Sequence, residues 1–361
     1  MKEIILLDTL APIGHKDINE FYIDKLKDSF NLTYMSRVDY PSKQLCDKYR
    51  RLDIKEKYYK GQSPLKKRLG YLLTLFSIKA NSKRKIDTMI FLSYDIISFG
   101  VFSLLNRRFI SNHKIYLFNH NNIDELINSK IKRFFLKLIP KDVSFLCYED
   151  FITEYLKNNL NRNAITLRHN LNHYKLEYKQ NNINPEVKKF FNDDAIYIVA
   201  LSGNDISGAV INSIKELDKS NVLMNKNIKI FIKNKKLVYN SDYVYVCNDY
   251  MSDNDYSYAL SHCNYILLPY DVDEFKYRVS GLFFDSLTFK KPVIATKTLF
   301  MEHLIQKFGI FGYFYDKDES FNTLIKNITI DAQTLYQSVI DKMFEYYSDE
   351  RVKNDIISIV L

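Results

Sequence analysis

Tryptophan is missing from this sequence and glycine is scarce, with nine in 361 residues. The lack of Trp, beside abundant Lys, Asn, Ile and Tyr, is a bias of the kind an AT-rich genome produces and carries no chemistry. The glycines say more, because none forms G-x-G-x-x-G and there is no G-x-x-x-x-G-K-[ST], so the dinucleotide and P-loop fingerprints are absent. Cysteine is also sparse. Cys46, Cys147, Cys247 and Cys263 are widely spaced, with no C-x-x-C pair and no His at zinc-finger spacing, which removes a disulfide framework and a structural zinc and fits a reducing cytosol. No heptads or short-period repeats occur, so solenoid architectures are excluded. The opening MKEIILLDTLAPIG has too short an apolar run for a signal-peptide core. The longest apolar stretch, Thr88 to Leu105, carries Asp95 near its middle and is expected as a buried strand followed by a helix rather than a membrane span.

What is present is ample apolar material, 46% with 15% aromatics, enough to bury the cores of two domains or one large one. The formal charge of +9 is unevenly placed. Between Lys48 and Lys85 there are 13 Lys and Arg against two acids, a local +11. Interleaved with Tyr58, Tyr59, Leu65, Leu69 and Tyr71, this segment suits an anionic membrane surface or a phosphate-bearing acceptor. A solvated helix face beside a loop accounts for it equally well. No nucleic-acid-binding motif accompanies the charge.

Strand-like runs alternate with helix-like ones. EIILLD, MIFLSYD, KIYLFNH, VSFLCYED and AITLRHN precede a polar stretch from Tyr174 to Pro185. A second series follows it, AIYIVAL, IKIFIK, YVYVC, YILLPY and PVIAT, and Asp331 to Leu361 has helical spacing. Alternation of this kind predicts an α/β protein with mostly parallel sheets and a site in the loops at the carboxyl ends of the strands.

The densest chemistry lies in YILLPYDVDEFKYRVSGLFFDSLTFKKPVIAT. Ser280 and Gly281 open a helix, where free N–H groups and the dipole favour an anion, and Arg278 two residues earlier can add a bidentate contact. Asp271 and Asp273 are spaced as carboxylates that hold a divalent cation against a diphosphate, a second reading of the same loop.

This run, continued by FMEHLIQKFGIFGYF, resembles the carboxyl-domain signature of glycosyltransferases of the GT-B fold, of the type often called group 1. The resemblance implies two Rossmann-like domains facing a central cleft. The expected divisions are 1–178 for an acceptor-binding domain, 179–186 for a linker, 187–340 for a nucleotide-sugar-binding domain, and 341–361 for a helix packing back on the first domain. It also implies a hexosyltransferase-type activity, moving sugar from a UDP- or GDP-linked donor to a polysaccharide or lipid-linked glycan of the capsule or O-antigen kind. A location in the cytoplasm, peripheral on the inner face of the membrane, goes with that acceptor. No cofactor beyond the donor and no metal is expected, with cationic groups taking the metal's part. An epimerase or phosphorylase of the same architecture and a non-catalytic membrane-associated scaffold are the alternatives.

Residue by residue, the family's paired Glu positions fall on Tyr277 and Asp285, of which Asp285 can still accept ribose hydroxyls whereas Tyr277 is no carboxylate at neutral pH. The usual Gly before Lys-Pro is Lys290. PIGH resembles the loop facing acceptor and donor phosphates, placing Gly14 and His15 there, and YLFNHNN makes His120 the candidate for a hydrogen bond or proton transfer at the transferred sugar. Ser202 and Gly203 stand where related enzymes approach the diphosphate, with Lys233 as a nearby cation.

Overall fold

The structure, a computed structural model, describes residues 1–10, 16–36, 49–51, 63–82, 86–119, 122–171, 173–202, 206–249, 251–273, 275–316, 318–329 and 332–361. The chain divides into two compact units, one of Met1–Asn170 with Asp349–Leu361 and one of Leu171–Ser348.

The first unit runs β1 (Glu3–Asp8), α1 (Lys16–Lys27), β2 (Asn31–Ser36), β3 (Tyr49–Arg51), α2 (Pro64–Asn81), β4 (Thr88–Ser93), α3 (Ile96–Leu105) and α4 (Arg107–Ser111). It continues through β5 (Lys114–Asn119), α5 (Asn122–Asn128), α6 (Lys130–Leu138), β6 (Ser144–Tyr148), α7 (Asp150–Leu160) and β7 (Ala164–Leu167). Its seven strands form a parallel sheet in the order β3-β2-β1-β4-β5-β6-β7. The inner strands β4 and β6 are buried at every residue, which is why they read as continuous apolar runs without alternation.

Asp95 is explained by its place. It is the N-cap of α3, its carboxylate accepting the Ser98 N–H at 2.8 Å, so the apolar stretch is the expected strand and helix. Among the described residues no helix is long and apolar enough to cross a membrane. Helices α3 and α6 approach closely at Gly100, where a Cβ would stand 2.5 Å from the Phe135 carbonyl oxygen. At the carboxyl ends of β1 and β4, buried Asp8 accepts from Ser93 Oγ and, at 2.8 Å, from Asn19 Nδ2. Thr9 Oγ1 then donates to the Ser93 carbonyl at 2.7 Å, tying the ends of the two strands together.

The second unit begins with 3-10 turns at His173–Leu176 and Gln180–Asn182 and then runs α8 (Pro185–Phe190), β8 (Ile196–Ala200), α9 (Gly208–Lys219), α10 (Val222–Lys226), β9 (Ile228–Lys233), β10 (Val244–Cys247) and α11 (Asp253–His262). After these come β11 (Tyr265–Leu268), α12 (Gly281–Thr288), β12 (Val293–Thr296), α13 (Leu299–Phe308), β13 (Gly312–Tyr315), α14 (Asp318–Asn327) and α15 (Ala332–Tyr346). Six parallel strands lie in the order β10-β9-β8-β11-β12-β13. The stretch read from its polarity as a linker packs on α11. Tyr178 meets Tyr258 edge-on and shares a 3.0 Å hydrogen bond with Ser261, and the Asn184 N–H donates to Asp255 at 2.7 Å.

The carboxyl-terminal helical pattern proves to be two helices in different units. It breaks at Tyr347–Ser348, and α16 (Asp349–Val360) returns to the first unit. There Tyr116 and Lys2 donate at 2.6 Å to the carbonyls of Ile359 and Val360, and Arg168 pairs with Asp355 at 3.1 Å. Val352, Ile356 and Val360 are its buried face, each contributing about 1.5–3 kcal/mol through burial.

Candidate functional site

In the second unit the sequence places polar groups just past the carboxyl ends of β8, β9 and β11 and at the start of α12. β9 ends on Lys233, a half-buried lysine whose ammonium lies 5.8 Å from the centre of the Tyr256 ring. The ammonium of Lys175 lies 4.9 Å from the same ring. Lys175 also donates to both carboxylate oxygens of Asp285, at 2.8 and 2.9 Å, and Tyr256 Oη donates to Asp285 Oδ2 at 2.7 Å. Asp285 is almost fully buried, one turn into α12, so a cation and a hydroxyl compensate its charge where water does not.

The loop before α12 is fixed by stacking. Tyr270 lies flat on Phe275, centroids 4.0 Å apart at 8°, and the Arg278 guanidinium stands 5.4 Å from the centre of the Phe275 ring. Ser280 is the N-cap of α12: its Oγ accepts the Phe283 N–H at 3.2 Å and bonds Tyr270 Oη at 2.7 Å. The hydroxyl is therefore committed to the helix, and what the terminus offers a ligand is backbone N–H and the positive end of its dipole. Approach is open at Gly281, which is exposed and where an added Cβ would meet nothing within 4 Å. Tyr277 is half-buried.

Past β8, Ser202 Oγ is buried and has no hydrogen-bond partner among the described residues. In the acidic loop, Asp271 Oδ1 accepts the Asp273 N–H at 2.9 Å, a local turn between two exposed carboxylates. Beside the end of β10 a cavity of about 250 Å³ is lined by Tyr245, Cys247, Asn248, Asp249 and Met251 among others. Burial and the Glu186 carboxylate, which accepts a hydrogen bond from it at 3.2 Å, push the Tyr245 phenol up to about 12, so it stays protonated at neutral pH.

Of the residues singled out in the sequence, the structure thus brings Lys233 and Asp285 to one tyrosine and sets Arg278, Ser280 and Gly281 at one helix terminus. Gly14, His15, His120 and Gly203 lie outside the described residues. Lys175, Tyr256 and Tyr270 escaped the sequence reading. Lys175 sits in the polar stretch after the first unit, where no periodicity marks it, and Tyr256 is one aromatic among 28 tyrosines.

No family model matches the chain, and no curated protein matches it by sequence. Solved structures do. Sucrose-phosphate synthase from Thermosynechococcus elongatus matches at a TM-score of 0.69 and 12% identity, covering 99% of this chain and 98% of that one. HepE of Anabaena, in complex with UDP and glucose, matches at 0.70 and 10%, covering 100% and 99%. A glycosyltransferase of Rickettsia africae matches at 0.65 and 14%, covering 99% and 98%. The chain has the GT-B fold. Identities this low establish that fold, and with it two Rossmann-like units of parallel strands, and leave activity to be argued from the site.

Proposed function

We propose that the protein is a glycosyltransferase that takes a sugar from a nucleotide-diphosphate sugar, holding the nucleotide in its second unit. The observation that carries this is the convergence of Lys175 and Lys233 on Tyr256 beside buried Asp285, one turn inside a helix whose N-terminus is open at Gly281. Solved structures of the same fold add support, since the matched HepE structures are described as complexes with UDP and glucose or with UDP-glucose.

In this reading the diphosphate lies against Lys233, Arg278, Ser202 and the first N–H groups of α12. An acceptor hydroxyl attacks the anomeric carbon and gives up its proton, to His120 where the resemblance places it or to the departing phosphate oxygen; the bond from that carbon to the diphosphate oxygen breaks, and the nucleoside diphosphate leaves with its new charge met by these fixed cations and dipoles. No metal is called on. Asp285, oriented by Lys175, receives the ribose hydroxyls on lone pairs left by its present partners. Tyr277 offers a neutral hydroxyl to the transferred sugar where related enzymes have a carboxylate. The resemblance gives His120 and His15, with Gly14 and Gly203, to the sugar and phosphate loops. A glycan or lipid-linked acceptor and an anionic membrane surface fit the basic stretch, for Leu65 and Leu69 of α2 are exposed beside Lys66, Lys67 and Arg68.

Calorimetric titration with UDP and GDP, each with magnesium and with chelator, tests this on the wild type and Arg278→Ala. Chelator-insensitive binding of one nucleotide, weakened at least tenfold in the variant, is expected. A strict magnesium requirement would move the phosphate site to Asp271 and Asp273, and failure of both nucleotides to bind would remove the transferase reading.

A further inference from the structure

A cavity of about 640 Å³ opens in the first unit and is lined by Arg107, Arg108, Ser111, Lys137, Lys141 and Arg162, with no carboxylate among its walls. It lies in the three turns that lead from helix to strand ahead of β5, β6 and β7. That is the amino end of the sheet. The loop after β5, which carries His120, leaves the opposite end of a strand about 20 Å long. The cavity is therefore separate from the loops assigned to sugar transfer.

Five cations converging on one concavity repel one another unless something compensates them. None of Arg107, Arg108, Lys137 and Lys141 has an ion pair with a carboxylate among the described residues. The fifth, Arg162, is 7% exposed. Its guanidinium donates to the carbonyl of Ile139 at 2.7 Å and to that of Leu136, closing the carboxyl end of α6. Its Nε is buried and has no hydrogen-bond partner among the described residues. Neutral carbonyls do not cancel its charge, and burial draws its pKa below the ordinary guanidinium value. A largely buried cation whose charge no carboxylate among the described residues cancels, ringed by four exposed ones, is the arrangement that phosphate oxygens satisfy.

We propose that this cavity is a binding site for a phosphate-bearing anion, distinct from the donor site and independent of the transferase reading. Two sources supply that chemistry, a soluble phosphate ester and the headgroup of an anionic lipid. The volume admits a phosphorylated sugar. Leu104 and Leu105, 45% and 64% exposed, lie just before Arg107 in the chain, and Ile131 and Phe134 are exposed on α6, whose carboxyl end the cavity abuts; exposed apolar groups on the elements that carry the cations are what a lipid source calls for.

The test uses the whole chain, with Arg108→Ala/Lys141→Ala as the variant because both side chains are exposed and their removal leaves the core intact. Hydrogen exchange over residues 136–142 and 160–163, which line this cavity and lie outside the second unit, is followed with inorganic pyrophosphate and no nucleotide. Sedimentation with phosphatidylglycerol–phosphatidylcholine vesicles is measured in parallel, together with the melting curve. Protection of these segments in the wild type, with at least a tenfold weaker pyrophosphate response in the variant and an unchanged melt, supports the site with a soluble ligand. Vesicle binding that falls at least tenfold in the variant, without a pyrophosphate response, supports it with a lipid headgroup. If pyrophosphate protects neither segment and vesicle binding is the same in both proteins, the proposal is overturned.

Discussion

Lys175 grips both carboxylate oxygens of Asp285, at 2.8 and 2.9 Å, with the aspartate side chain only 4% exposed and the lysine 20%. A pair this far from water is costly to break from one side. Lys175→Ala would leave a buried carboxylate without the cation that compensates it, and a loss of about 3 kcal/mol in stability is expected. Lys175→Ala/Asp285→Ala should recover part of that loss, because no uncompensated charge is left behind. Urea unfolding of the four proteins of this cycle gives the coupling. A coupling below about 0.5 kcal/mol would mean that the contact has no structural weight.

The same pair bears on the nucleotide. Asp285→Asn keeps the volume and the capacity to accept a hydrogen bond while removing the charge that holds Lys175. If Asp285 receives ribose hydroxyls, this variant binds the preferred nucleotide about tenfold more weakly and binds pyrophosphate as before. Titration with both ligands separates the two effects. Equal loss for nucleotide and pyrophosphate would show a collapse of the whole terminus of α12, and no loss for the nucleotide would take the ribose away from Asp285.

Lys290 adopts a positive φ of 51° at the position where the resembled family carries glycine. A glycine would adopt this left-handed conformation without steric cost, and here a lysine takes it. The side chain contributes a surface ion pair with Asp341 at 2.8 Å and lies 4.8 Å from the centre of the Phe344 ring. Lys290→Gly relieves backbone strain but frees the unfolded chain, so its stability should stay within about 1 kcal/mol of wild type. Lys290→Val adds branching at that conformation and should cost about 2 kcal/mol. Denaturant midpoints for the two variants check this; equal midpoints would mean that the turn relaxes to accept any residue.

Much of the fold was open to sequence reading because parallel strands buried on both faces advertise themselves. Ten of the strands, from EIILLD to PVIAT, were visible this way. The others were missed for physical reasons: NLTYMS alternates polar and apolar residues without a clean period, YRR and GYFY are short, and in GYFY it is glycine that permits the sheet contact. A Cβ on Gly312 would fall 2.2 Å from the Val293 carbonyl oxygen, a constraint that exists only once β12 and β13 are paired. The helix over Val352, Ile356 and Val360 was legible, but its pattern records an apolar face and not the unit that covers it. At the site, Ser280 and Gly281 followed from local rules for helix starts. The Lys175–Asp285 contact joins residues 110 positions apart through two charged side chains, and neither carries a periodic signal. The basic cavity was equally hidden, since Arg107, Lys137 and Arg162 come from three turns that meet only in the folded sheet.

The buried thiols set an alkaline limit on stability. Burial pushes the Cys263 thiol up to about 12 and raises Cys147 as well, while in the unfolded chain both ionise near the ordinary value of about 8.5. A group whose folded pKa is raised gives its full stabilisation below the unfolded pKa and loses it as pH climbs toward the folded one, because only the unfolded state gains by releasing the proton. Stability should therefore be level in this respect up to about pH 8 and then fall, with Cys263 alone accounting for about 2.6 kcal/mol between pH 7.5 and 10.5. Cys263→Ala opens a small gap in the core at every pH, so the informative quantity is the change with pH. Urea unfolding at the two pH values should give a smaller alkaline loss for the variant than for the wild type by that amount. The same loss in both proteins would mean that Cys263 ionises as readily in the folded chain as in the unfolded one.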